Sequence, residues 1–146
     1  MGLERLPELK AGLNLSEIKK DIRQEDINLY AGASRDFNPI HIDAEFARKT
    51  PLGGTIAHGM LVLAYVSQMM TDAFGHSWLA GGSLNVRFKA PARPGDVVTV
   101  SGQIRKLEKG DSRTIVDCEV LCRNQNGEAI ITGEARVEVP NHEDSH

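Results

Sequence analysis

Hydrophobic positions along this chain change their period once, at Gly75. Before it, "QEDINLYAGAS" sets acids in its first turn and Ile27, Tyr30 and Ala31 at helical spacing, which predicts a short helix. "IDAEFARKT" offers Asp43 as the N-cap of another, and residues 51–55 read as turn. The segment "HGMLVLAYVSQMMTDAF" (58–74) is apolar almost all the way round through its first nine positions, which predicts a helix buried on every side. Further upstream, "LSEIKKDI" (15–22) reads as an edge strand.

After Gly75 the period is two. A strand is expected near 82–89, a Pro-Gly-Asp turn, then a longer strand near 96–107. "GDSRTIVDCEVLCRNQNGEAIITGEARVEV" gives two more strands joined at "NQNG", where Asn126-Gly127 signals a hairpin. One buried helix followed by long antiparallel strands predicts an α+β fold, a single curved sheet wrapped around that central helix. Residues 1–139 read as one domain and 140–146 as a polar tail.

Composition narrows the function classes. At 146 residues the chain suffices for one substantial core. A net charge of −3 with 17 scattered basic residues calls for neither nucleic acid nor an anionic membrane. No leader segment or membrane-spanning apolar run is read. Cys118 and Cys122 fall in one strand, where four residues span about 13 Å, too far for a local disulfide. With no His pair beside them they are too few for structural zinc. The expectation is a reduced, cytoplasmic protein.

Candidate chemistry concentrates in "SRDFNPIH", Ser34 to His41. Read plainly, Asp36 and Asn38 are turn formers, Pro39 fixes the loop and His41 is a surface histidine. Read functionally, Pro39 stiffens the loop and biases Asn38 towards extended backbone, so an acid and a base are held in fixed geometry for proton transfer. Both residues then lie on a loop outside the packed helix.

The stretch "YAGASRDFNPIHIDAEFA" closely resembles the signature of the (R)-specific enoyl-CoA hydratases and MaoC-like dehydratases. Tyr30, Asp36, Asn38, Pro39, Ile40, His41 and Ala47 carry the resemblance, and Arg35 departs from it, since many members have Gly there. It continues through "AHGM" (57–60) and "NVRFKAPARPGD" (85–96), covering nearly the whole chain. It implies the hot-dog fold and reversible hydration of trans-2-enoyl thioesters, or dehydration of (R)-3-hydroxyacyl thioesters, on CoA or acyl carrier protein in fatty acid or polyhydroxyalkanoate metabolism. Asp36 would be the base on water and His41 the proton donor, with Asn38 supporting the loop. The Gly59 backbone N–H, at the start of a helix, would bind the thioester oxygen. No cofactor and no metal is implied.

Two readings of Ser67 stay open: a hydroxyl bonded back to its own helix, or a hydrogen bond orienting Asp36, as a matching family serine suggests. It lies about 12 Å along the helix from Gly59, so the two should not share a ligand atom. His58 is assigned a structural role at the helix end ahead of a second-acid role. His76, His142 and His146 carry no signal, and Asp36, His41 and Asp43 match no metal-ligand spacing. Two rivals remain: a hot-dog thioesterase, which needs a carboxylate on or near the first turns of the central helix, where none is found, and a non-catalytic acyl-binding subunit, which needs neither Asp36 nor His41. An exposed sheet edge and a small core predict a homodimer or larger homo-oligomer, with a heteromeric partner as the alternative.

Overall fold

The computed structural model describes residues 8–141. In chain order the elements are β1 (Ile18–Asp21), α1 (Gln24–Ser34), α2 (Pro39–Ile42), α3 (Ala44–Arg48), α4 (Gly59–Phe74), α5 (His76–Gly81), β2 (Ser83–Phe88), β3 (Val97–Lys109), β4 (Arg113–Arg123) and β5 (Ala129–Pro140). The strands form one antiparallel sheet in the order β1-β3-β4-β5-β2, so β1 and β2 are its edges.

Period-two patterning sets which face is dry. Val98, Val100 and Ile104 on β3, Val116, Cys118, Val120 and Cys122 on β4, and Ile131, Ala135 and Val137 on β5 are all buried. They pack against Val62, Val66, Met69 and Met70 of α4 in one core. Close approach of helix to sheet uses Gly102, where a Cβ would lie 2.9 Å from the Met69 methyl. The opposite face carries charges, including an Arg136–Asp117 pair at 2.8 Å. Such exposed pairs add little stability. The β4–β5 turn follows its sequence signal: Gly127 has φ of 80°, and the Asn124 side chain accepts from the N–H groups of Asn126 and Glu128.

The expectation that α4 is buried on every side is corrected. Gly59, Met60, Ala64 and Gln68 are exposed, Met60 to 60 %. One sheet covers one side of a helix, and an all-round apolar pattern reports surface to be covered without saying by what. Two short helices, α2 and α5, were not expected, being too brief for periodicity to reveal. Strand β5 runs to Pro140, and the Asn141 side chain donates to the carbonyls of Gly110 and Asp111. His142, His146 and the rest of the polar tail lie outside the described residues.

Candidate active site

Helix α1 ends in a left-handed residue. Arg35 has φ 63° and ψ 22°, a conformation favouring glycine, and it turns the chain into the loop that carries Asp36. From there each side chain braces the next. The Asp36 N–H donates to Ser34 Oγ, the Asn38 N–H donates to Asp36 Oδ1, and the Ile40 N–H donates to Asn38 Oδ1, each at 3.2 Å. Asn38 is thus the N-cap of α2, with Pro39 in its first turn, where a missing N–H costs nothing. Asp43 caps α3 in the same way, as its sequence position suggested.

A second segment holds the loop from behind. The Ile56 N–H donates to the Ile40 carbonyl at 3.1 Å, and the Ala57 N–H donates to the Ala92 carbonyl at 2.8 Å. His41, 7 % exposed, sets Nδ1 at 2.8 Å from the Ile56 carbonyl. A carbonyl only accepts, so Nδ1 carries the proton and Nε2 is left for chemistry. Gln24 fastens the two segments: its amide N–H groups donate to the His41 carbonyl at 2.7 Å and to Asn28, and its Oε1 accepts from the Thr55 hydroxyl at 2.7 Å.

One carboxylate oxygen of Asp36 and one ring nitrogen each of His41 and His58 lie within 4.8 Å of one another. A single water with hydrogen bonds of about 2.8 Å spans such a gap. Asp36 is exposed while both histidines are buried, so the cluster opens to solvent on the carboxylate side. The imidazoles of His41 and His58 stack, with centroids 3.9 Å apart and planes at 25°. The same three donor atoms are close enough together to share a metal ion.

His58 stands at the N-cap position of α4, the helix end expected for it, without a capping side-chain bond. Its Nε2 lies 3.0 Å from the Asp36 main-chain carbonyl, and its Nδ1 is buried with no hydrogen-bond partner. Leaving a buried acceptor unpaired costs about 1–3 kcal/mol.

The Leu61 and Val62 N–H groups donate to the His58 carbonyl, so those of Gly59 and Met60 stand ahead of the helical ladder. Gly59 is exposed at the mouth of a mostly apolar cleft of about 350 Å³, with Ile56, Val62, Phe88 and Ala92 in its walls. A Cβ at Gly59 would meet the Phe88 ring at 3.0 Å, so glycine lets that ring pack against the start of α4. Ser67 has a partner that neither open reading named: its hydroxyl accepts from the Trp78 indole N–H at 2.9 Å. Among the described residues no hydrogen bond joins Ser67 to Asp36.

The structure therefore brings Asp36, Asn38, His41 and Gly59 to one end of α4 and ties Ser67 to α5. Sequence reasoning missed Gln24, whose bonds to the site reach 17 and 31 residues along the chain, so no local pattern could signal its role there.

The sequence matches the family model described as MaoC like domain over residues 9–127. It is 33% identical over 149 residues to a 3-hydroxybutyryl-CoA dehydratase of Methylorubrum extorquens, an alignment covering 96% of this chain and 92% of that protein. It is 34% identical over 140 residues to an (R)-specific enoyl-CoA hydratase of Rhodospirillum rubrum, covering 94% and 93%. The solved (R)-hydratase from A. caviae involved in PHA biosynthesis superposes with a TM-score of 0.78 at 28% identity, over 92% of this chain and 100% of that one.

Proposed function

We propose a function from one premise, that the chain belongs to the MaoC-like domain family and has its hot-dog fold: it is a hydro-lyase that reversibly adds water to trans-2-enoyl thioesters, giving (R)-3-hydroxyacyl thioesters. The observation that carries the reading is the Asp36–His41 pair, within reach of one water, with His41 Nε2 left free by the Ile56 carbonyl.

In the hydration direction the Asp36 carboxylate accepts a proton from the bridging water as its oxygen bonds to C3. The C2–C3 π electrons move towards the thioester carbonyl, whose oxygen the Gly59 N–H steadies. His41, protonated on both nitrogens, keeps Nδ1–H on Ile56 and delivers the Nε2 proton to C2. The proton on Asp36 then returns to His41 through solvent at the open side. Asn38 holds the Asp36 turn, and the apolar cleft beside Gly59 is suited to the acyl chain. No step calls for a cofactor.

A thioesterase is disfavoured because the first turn of α4 holds no acid, and Asp72 stands near its far end, exposed. The reading includes a homodimer that covers the open face of α4 and engages a free sheet edge, supported by exposed Met60, Phe37 and Phe46. It also includes a cytoplasmic location, supported by two buried, unpaired thiols in place of a disulfide framework.

Crotonyl-CoA tests the function. Loss of enoyl absorbance without free thiol is expected. Thiol release would make the protein a thioesterase. If neither occurs with crotonyl-CoA, with a longer enoyl-CoA or with enoyl groups on acyl carrier protein, the lyase reading fails. Sedimentation at micromolar concentration tests assembly, and a monomer mass would overturn the dimer.

A further inference from the structure

We infer that His58 is a positioning residue which sets the geometry of both Asp36 and His41, an inference that rests on the lyase reading above. His58 is 2 % exposed and held between two rings, stacked on His41 at 3.9 Å and tilted against Tyr30 at 4.8 Å. Its side chain's only hydrogen bond among the described residues is to the Asp36 main-chain carbonyl. Because that oxygen only accepts, the Nε2 atom must be the donor, which fixes the tautomer and leaves Nδ1 bare.

What sets His58 apart from His41 is its second ring nitrogen, which is buried with no partner, so the side chain acts through its one N–H on the Asp36 main chain and its face against His41. That geometry explains a side chain the fold does not need. Phenylalanine would fill the same slot with no orphan acceptor, and serine or aspartate would cap α4, which His58 leaves uncapped. What histidine adds is a rigid N–H on the main chain at Asp36 and a flat face against His41. The residue after it is Gly59, so a single position links the proposed base, the proposed acid and the helix start that would bind the thioester oxygen. A small error in such placement is costly in rate even when binding survives.

Two substitutions separate the donor from the ring. His58→Phe keeps the volume and the stack but removes the Nε2–H and the orphan Nδ1. His58→Gln keeps an N–H at similar reach but removes the ring. For His58→Phe we expect kcat on crotonyl-CoA to fall by roughly 5- to 10-fold, the scale of one hydrogen bond, with KM within about twofold. The melting temperature should hold or rise. His58→Gln should recover kcat to within about threefold of wild type. Undiminished kcat in the Phe variant, a kcat loss that only follows a loss of melting temperature, or a Gln variant as slow as Phe would each overturn the inference. Long-range proton–nitrogen spectra of the imidazoles give a readout independent of turnover. His58 should appear as the Nε2–H tautomer, and an Nδ1–H form would sink the inference even in an active enzyme. A wild type with this tautomer but no hydratase activity would instead sink the functional reading.

Discussion

The Trp78 indole N–H donates to the Ser67 hydroxyl at 2.9 Å, a bond that fastens the short helix α5 to the middle of α4. Trp78 is 6 % exposed, so losing its acceptor would strand a buried donor. Ser67→Ala is therefore expected to destabilise by about 1–3 kcal/mol. Turnover of crotonyl-CoA at a temperature where both proteins are folded should stay within about twofold. Thermal unfolding and steady-state kinetics on the same samples check this. An unshifted melting curve with depressed kcat would put Ser67 back in the reacting site.

Gln24 holds the His41 carbonyl and the Thr55 hydroxyl at 2.7 Å each, beside the Ile56 carbonyl that fixes His41 Nδ1. Gln24→Ala should loosen the proposed acid without touching substrate, lowering kcat by roughly 5- to 10-fold. Gln24→Glu should be worse, because a carboxylate cannot donate to the His41 carbonyl and repels it. Equal kcat in wild type and both variants would show that His41 is held without this clamp.

Arg35 takes a left-handed conformation, φ 63°, at the end of α1. A side chain there costs about 1–2 kcal/mol, against about 1 kcal/mol of extra chain entropy lost by glycine. Arg35→Gly should therefore be neutral to stabilising by up to about 1 kcal/mol in chemical denaturation, with activity retained. A clear loss of stability would mean the Arg35 side chain makes a contribution its exposure does not suggest.

Burial pushes the Cys118 thiol up to about 12, helped by the Asp117 charge, and the Cys122 thiol up to about 11. Thiolates are the reactive species, so at pH 8 roughly one part in a thousand or less is available in the folded protein. An aromatic disulfide reagent should titrate no thiol in the native state and two in denaturant. The sign of the pH linkage follows. Unfolded cysteines ionise near 9.0, so this contribution to stability is fully present below that pH and is lost as pH rises through about 11 and 12. Rapid labelling of the native protein at pH 8 would contradict the burial.

The long strands, α1, the Asp43 cap and the Asn-Gly hairpin were legible because each is a local pattern of period, cap or turn. The proposed Asp36–His41 pair was legible because both residues and the turn bonds between them lie within eight residues, from Ser34 to His41, although Gln24, Ile56 and His58 hold them from outside that stretch. What escaped was non-local. Helix α5 is six residues long, and without it Trp78 could not be seen as the partner of Ser67. The open face of α4 escaped for a different reason. Met60 and Val62 are equally apolar in the sequence, and only the sheet's reach decides that one is exposed and the other buried.

Asp36 and His41 differ in how they can be removed cleanly, and this shapes the decisive test. Asp36 is exposed, so Asp36→Asn should leave the melting temperature nearly unchanged while it removes the proposed base. His41 is not the surface histidine that a loop position suggested. It is buried, bonded to the Ile56 carbonyl and stacked on His58. His41→Ala should therefore cost about 2 kcal/mol or more from the void and the unpaired carbonyl, confounding its kinetics. His41→Asn offers an amide N–H near the Nδ1 position, so it should keep more stability while still deleting the proton donor. For both Asp36→Asn and His41→Asn, kcat on enoyl-CoA is expected to fall by about 10² to 10⁴. The double variant should be only slightly worse than either alone, because the two groups hold one water and act as a unit. If either single variant keeps near wild-type activity, the loop from Ser34 to His41 is a turn that merely contains ionisable groups, and the proton path proposed for this site is wrong.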